Sequence, residues 1–173
     1  MFLKTIGIAF IIAGFGGWGL LGASRSENRV RQLRNLRMAI LFLEKEVTYM
    51  YTPLSAALGK TARFTDKPIY YLFEVSSLRL KEKQGVTAAE AWMEGLRYMA
   101  KFSDLQKADI ELLARLASQL GMSDADEQKK IFKLVQEEIK IQEEKAVLTS
   151  ESTRRLWSYG GFILGALVVL LLL

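Results

Sequence analysis

Apolar residues in the stretch 31–58 recur three and four positions apart: Leu33, Leu36, Ile40, Leu43, Val47 and Met50. That spacing lines one face of a 3.6-residue helix and predicts an amphipathic helix in need of an apolar partner surface. Proline disfavours helix in the residue before it and suits the first turn of a helix after it. A corner is therefore expected at Thr52-Pro53, with Thr52 as the N-cap of a second helix over 53–63. Asp66 can cap a third that starts near Pro68 and carries Ile69, Leu72, Phe73, Leu78 and Leu80 before Gly85 ends it. Thr87-Ala88-Ala89-Glu90 has the form of a capping box and opens a fourth, with Ala91, Trp92, Leu96 and Met99 on its inner side. Ser103-Asp104-Leu105-Gln106 repeats that form ahead of Leu112, Leu113, Leu116 and Leu120. Ser123-Asp124-Ala125-Asp126 opens a sixth, with Ile131, Leu134, Val135, Ile139 and Gln142 along one face. No stop follows it, and it is expected to run on toward the C-terminus, broken if anywhere near 149–152. No apolar stretch has the period of two that a strand requires, so the expected class is all-α.

Two apolar blocks flank this region. Residues 6–23 are an uncharged run of 18, about 27 Å as a helix, and 157–173 add 17 more, about 25 Å. Both predict membrane helices, leaving about 130 residues between them for one helical domain. The expected organisation is a transmembrane helix over 1–24, a cytoplasmic six-helix bundle over 25–152 and a second transmembrane helix over 153–173. A cleaved secretory signal is the weaker alternative for the first block. Arg25, Arg29, Arg31, Arg34 and Arg37 follow it immediately and oppose translocation. The same arginines, with Arg154 and Arg155 before the second block, place the intervening domain in the cytoplasm and both termini on the other side. Arg25, Arg29, Arg31, Arg154, Arg155 and Trp157 are thus candidate membrane-interface residues, and much of the net charge of +5 can face anionic headgroups. Ala9, Ala13 and Gly17 repeat every four residues, and Gly161 and Gly165 form a Gly-x-x-x-Gly, spacings that allow close helix packing in lipid.

Chemistry is constrained by absences. With no histidine and no cysteine, the commonest general base, the thiolate nucleophile, disulfides and nearly all zinc or copper sites are removed. No catalytic residue, metal or cofactor is expected. Gly59-Lys60-Thr61 matches the tail of a phosphate-binding loop, but Leu54 stands where that motif needs a glycine, and a helix replaces the strand that should lead in. The arginine cluster has no interleaved aromatics for base stacking, so nucleic acid is not an expected partner.

Arg31-Gln32-Leu33-Arg34, Leu43-Glu44, Glu46-Val47, Tyr49 and Thr52-Pro53-Leu54 with Ala57-Leu58 resemble the first half of the stage III sporulation protein AB family. Gly85 to Trp92, Leu120-Gly121-Met122-Ser123-Asp124 with Asp126 and Gln128, and Trp157 with Tyr159 and Gly161-Phe162 follow in the family's order. The resemblance implies a spore-forming bacterium and a mother-cell protein of the outer forespore membrane. It also implies a bundle resembling the cytoplasmic domain of the type II secretion and type IV pilus platform protein F. A non-enzymatic platform component of the mother cell-to-forespore channel follows. Its implied partners are a secretion-type ATPase of the same operon, other channel components in the membrane, and membrane lipid, with self-association left open. The alternative is a membrane scaffold or lipid-binding helical module with no ATPase partner. Exposed charges would carry the partner contact. The candidates are Arg34, Arg37, Glu44 and Glu46 on the first helix and Glu137, Glu138, Glu143 and Glu144 on the sixth.

Overall fold

The computed structural model describes the backbone of residues 2–82, 85–120 and 125–172, and the side chains of residues 24–82, 85–120 and 127–152. Among the described residues it consists of six helices and no strand: α1 (Phe2–Thr48), α2 (Leu54–Arg63), α3 (Ile69–Glu82), α4 (Ala88–Ala100), α5 (Lys107–Ala117) and α6 (Ala125–Leu172). The all-α expectation holds. α1 and α6 are each continuous, so no break interrupts α6 near 149–152. Among the described residues no helix is long and apolar enough to cross a membrane. The expected spans, 6–23 and 157–173, lie outside the residues whose side chains are described, as do Ala9, Ala13, Gly17, Arg154, Arg155, Trp157, Gly161 and Gly165.

The inward stripe of α1 is as expected at Leu33, Leu36, Ile40 and Leu43, all buried, while Val47 packs at the edge of the core. Met50 breaks the pattern because the helix ends at Thr48; it projects from the following turn, 70 % exposed. Tyr51 completes that turn with φ +50°. Thr52 does not cap α2. Its Oγ1 donates instead to Glu46 Oε2 (2.7 Å), an ionised acceptor within reach, and Pro53 occupies the cap position with no side-chain bond. Thr61, in the stretch resembling a phosphate loop, is buried in α2 and donates its hydroxyl to the Ala57 carbonyl (2.8 Å).

α2 packs on α1 and on α3, α3 also touches α1, and α4 packs on the far side of α3 and against α5. Two glycines permit the close crossings. A methyl group at Gly95 would overlap the Leu72 carbonyl oxygen and Ser76 Oγ of α3, and one at Gly59 would lie 3.0 Å from Ser77 Oγ. Ser77 in turn donates to the Ser55 carbonyl of α2 (2.7 Å). Trp92 fills the centre, its ring edge-on to Phe73 (5.8 Å between centroids) and its Nε1 donating to the Leu113 carbonyl of α5 (2.9 Å). A buried indole thus contributes area and keeps its N–H satisfied. Leu78 is exposed on the outer face of α3.

The capping box at Thr87 is present in full: Thr87 Oγ1 accepts from the Glu90 N–H (3.2 Å), and Glu90 Oε2 accepts from the Thr87 N–H (2.9 Å). Those bonds hold the Glu90 carboxyl below its ordinary pKa, the backbone bond first. The expected box at Ser103–Gln106 is not the one that forms. α5 begins three residues later, and Asp109 Oδ2 accepts from the Gln106 N–H (2.8 Å), while the Asp104 N–H is taken by Gln32 Oε1 of α1 (2.9 Å). A carboxylate is the stronger acceptor at a helix start, and Asp109 supplies it where Gln106 in the expected register could not. The residues expected to cap α6, 123–126, lie outside those with described side chains.

Candidate functional site: the α1/α6 seam

α1 and α6 run antiparallel along most of the bundle, and cross-helix bonds set their register. Lys129 Nζ sits 4.8 Å from the Tyr49 ring, Gln136 Nε2 donates to Glu44 Oε2 (2.6 Å), and Glu143 faces Arg34 and Arg37. Farther along, Val30 and Arg31 border the same groove as Val147, Ser150 and Glu151. Between them Phe132, Val135, Ile139 and Ala146 of α6 meet the apolar stripe of α1. The sequence placed Leu134 on this inner face. The structure turns it outward and uses Phe132 and Ala146 beside Val135 and Ile139, because α1 lies about a sixth of a turn round from the face that the spacing suggested.

The deepest polar contact of the seam joins three helices. Arg29 Nε and one Nη donate to the two Asp109 oxygens (2.8 and 2.9 Å), and the same guanidinium reaches Gln142 Oε1 (3.5 Å). Both charged groups are buried. Arg29 was expected at a membrane interface; it is instead an internal tie between α1, α5 and α6. The bidentate geometry and the cap bond from Gln106 satisfy Asp109, which is how two desolvated charges are tolerated. A signal for this pair was in the chain. Arg29 lies four and seven residues before Leu33 and Leu36, and Asp109 lies three, four and seven before Leu112, Leu113 and Leu116, so each charge stands on an apolar stripe.

Of the charges expected to meet a partner, most are engaged within the chain. Glu44 is buried and held by Gln136, and Glu143 is buried and accepts from Arg34 Nε (2.9 Å) and Arg37 Nε (3.1 Å), so neither offers an exposed carboxylate. Glu46 accepts from Lys60 Nζ (2.6 Å) and from Thr52, bonds that lower its pKa, the lysine contact first. Glu138, half-buried, pairs with Arg115 of α5 (2.8 Å). Arg34 keeps most of its side chain exposed despite its bond, and Glu137 and Glu144 are exposed. Arg31, which bonds Asn28 (2.7 Å), and Arg25 are exposed too.

Two shallow open grooves follow the outer side of the seam, about 380 Å³ along Arg37, Lys140, Glu144 and Leu148 and about 290 Å³ along Arg31, Arg34 and Glu151. Both mix apolar floor with charges of either sign. Among the described residues there is no group of three metal-ligating side chains, and every buried side-chain nitrogen or oxygen has a hydrogen-bond partner. The polar groups of the seam are therefore arranged for cohesion between helices.

These features define an all-helical protein in which two long terminal helices, pinned by a buried ion pair, carry a layer of short ones. The chain belongs to the stage III sporulation protein AB family, whose model matches residues 4–173. It is 31% identical over 171 residues to the stage III sporulation protein AB of Bacillus subtilis (strain 168), covering 99% of both chains. A solved structure of a stage III sporulation protein AB (SpoIIIAB) is similar with a TM-score of 0.68 at 31% identity, covering 72% of this chain and 97% of that one.

Proposed function

We propose that this sporulation protein is a non-enzymatic, membrane-anchored platform of the mother cell-to-forespore channel. In this reading the bundle faces the mother-cell cytoplasm, engages a secretion-type ATPase there and organises other channel components in the outer forespore membrane. The observation that carries it is the pairing of α1 with α6. The two helices leave the same end of the bundle, in a register where 44 faces 136 and 37 faces 143, and each is joined in the sequence to an apolar run, 6–23 and 157–173. No loop intervenes between bundle and run on either helix. A load applied to the α2–α5 layer would pass along two continuous helices tied by the Arg29–Asp109 and Glu143 contacts. Family membership supports the sporulation setting, and the resemblance to protein F supports the platform role.

The test is binding of the full chain, reconstituted in lipid nanodiscs, to the cognate sporulation ATPase as its assembled oligomer, by calorimetry at two salt concentrations. Salt-sensitive binding in the micromolar range is expected, because exposed charge pairs are screened within about 8 Å at physiological ionic strength. Absence of binding at both salts returns the protein to a membrane scaffold or lipid-binding module without an ATPase partner.

A further inference from the structure

Met38, Phe42, Lys45 and Tyr49 follow one another at four, three and four residues on the side of α1 turned away from the core. That spacing makes a single helical face about 17 Å long. Phe64, just past α2, packs its ring on Phe42 with centroids 4.8 Å apart and widens the face toward α2. Met50 and Tyr51 extend it past the end of α1. Met38, Tyr49, Met50, Tyr51 and Phe64 are between 56 % and 80 % exposed, so five of the eleven exposed large apolar side chains among the described residues gather here. Such gatherings mark surfaces that another molecule covers. The turn that completes this one is held against a cost. Tyr51 has φ +50°, where a side chain crowds its own backbone. The Met50 N–H donates to the Lys45 carbonyl (3.1 Å), and Thr52 donates its N–H to the Glu46 carbonyl (2.9 Å) and its Oγ1 to Glu46 Oε2 (2.7 Å), which fixes the turn. Strained residues of this kind cluster at ligand clamps, and here the strain displays Met50 and Tyr51 to solvent.

The uncompensated charge of this face has one sign. α2 holds Lys60 and Arg63 and no acid. On α1 from Met38 onward the acids are Glu44, buried and held by Gln136, and Glu46, half-buried and taken by Lys60 and Thr52. Lys45 and Arg63 are exposed and make no ion pair with a described residue. Lys129 of α6 sits on the Tyr49 ring, and Lys133 follows it one turn later. The bordering acids each have a lysine of their own: Glu137 and Glu144 stand four residues after Lys133 and Lys140, and Asp66 precedes Lys67, while Glu127 is turned to the opposite side of α6 from Lys129. We infer that this face docks an acidic amphipathic helix of a protein partner. Apolar side chains three and four apart on that helix seat against Met38, the Phe42–Phe64 pair and Tyr49, with Met50 and Tyr51 closing one end, and its edge carboxylates meet Lys45 and Arg63. The outward face of α6 does not supply such a helix from a second copy, because Lys130, Lys133, Lys140 and Lys145 stand among Leu134, Ile141, Leu148 and their glutamates. The docking surface is the same whether or not the chain is anchored as proposed above.

The probe is a fluorescent peptide of about 20 residues, long enough to form a helix, with leucines three and four apart on an alanine and glutamate background, beside a version with lysine for glutamate. The full chain, in phosphatidylcholine nanodiscs or in solution should it not insert, should bind the glutamate peptide with micromolar affinity that weakens as salt rises. The lysine peptide should bind about tenfold less well or not at all. Lys45→Glu with Arg63→Glu should weaken the glutamate peptide about tenfold, while Lys101→Glu, at the end of α4, should leave it unchanged. Tyr51→Gly separates use from architecture. Glycine takes a positive φ freely, so the urea midpoint should not fall, yet peptide binding should weaken about threefold or more. No binding, equal binding of the two peptides, or equal losses from Lys101→Glu and the charge-reversed pair overturns the docking face, and unchanged binding by Tyr51→Gly overturns the part given to the turn. Phosphatidylglycerol vesicles that float with the protein only while Lys45 and Arg63 are present assign the face to lipid, and a dimer that the charge-reversed pair dissolves assigns it to a second copy; either result overturns the proposal. Failure to insert into nanodiscs counts against the anchoring alone, because the peptide is then measured in solution.

Discussion

The α3/α4 crossing and the α1/α6 seam hold together by different means. At the crossing, Gly95 lets two backbones approach until no methyl group fits, and Trp92 fills the space beside Phe73. At the seam, apolar side chains share the contact with Arg29–Asp109, Gln136–Glu44 and the two arginines on Glu143. The first is specified mainly by shape, with one ion pair, Arg79–Glu94, at its surface. The second is specified by pairs of polar groups, each needing its partner, which fixes how two long helices slide and rotate against each other. Buried polar pairs add little net stability but penalise every other register, since a slip leaves a charge alone in a desolvated place.

Substitutions can break that contrast. Trp92→Ala should cost the most, about 3–5 kcal/mol, by emptying the core and leaving the Leu113 carbonyl without its donor; urea unfolding of the full chain in detergent measures it. Asp109→Ala should cost nearly as much, about 3–5 kcal/mol, because Arg29 stays buried without a counter-charge. The double variant Arg29→Met with Asp109→Leu sharpens the comparison. It should recover most of that loss, short of about 1 kcal/mol for the Gln106 cap, whereas no second substitution on α4 should rescue Trp92→Ala. Gly95→Ala follows at about 1–3 kcal/mol, with α3 and α4 forced apart. Arg34→Ala should fall below about 1 kcal/mol, since Arg34 is largely exposed and Arg37 still serves Glu143.

Acid titration gives the smallest effect and reaches neither region directly. Glu46 and Glu90 have pKa values lowered from 4.5 by bonds they make only when folded. Their contribution is complete above the ordinary carboxylate pKa and fades as pH falls through and below it. Glu90→Gln should flatten the stability-versus-pH curve in that window, measured by chemical unfolding between pH 6 and 3, as it removes the titrating half of the α4 cap.

Secondary structure was largely legible before any coordinates. The α4 capping box and its inward residues Ala91, Trp92, Leu96 and Met99 are as expected, because side chains three residues apart on a helix start bond locally and need nothing from the rest of the chain. The start of α5 was misplaced because two segments could cap it, and the choice fell to Asp109, whose carboxylate also met Arg29 from eighty residues away. Leu134 was misplaced for a related reason. Periodicity finds an apolar face, and α6 has two: one against α1, one outward.

The candidate charges show where reading a sequence stops. Arg34, Arg37, Glu44, Glu46, Glu137, Glu138, Glu143 and Glu144 look alike as letters on amphipathic helices. Only tertiary packing sorted them: α1 on α6 buried Glu44 and Glu143, α2 beside α1 tied Glu46 to Lys60, α5 beside α6 tied Glu138 to Arg115, and Glu137 and Glu144 were left outside. By itself the sequence determined the all-helical class, most helix boundaries and the absence of histidine and thiol chemistry, since these follow from local spacing and residue type. The tertiary structure alone decided which charges are partners and which remain surface, because an ion pair depends on the distance between residues far apart in the chain, and only the folded backbone sets that distance.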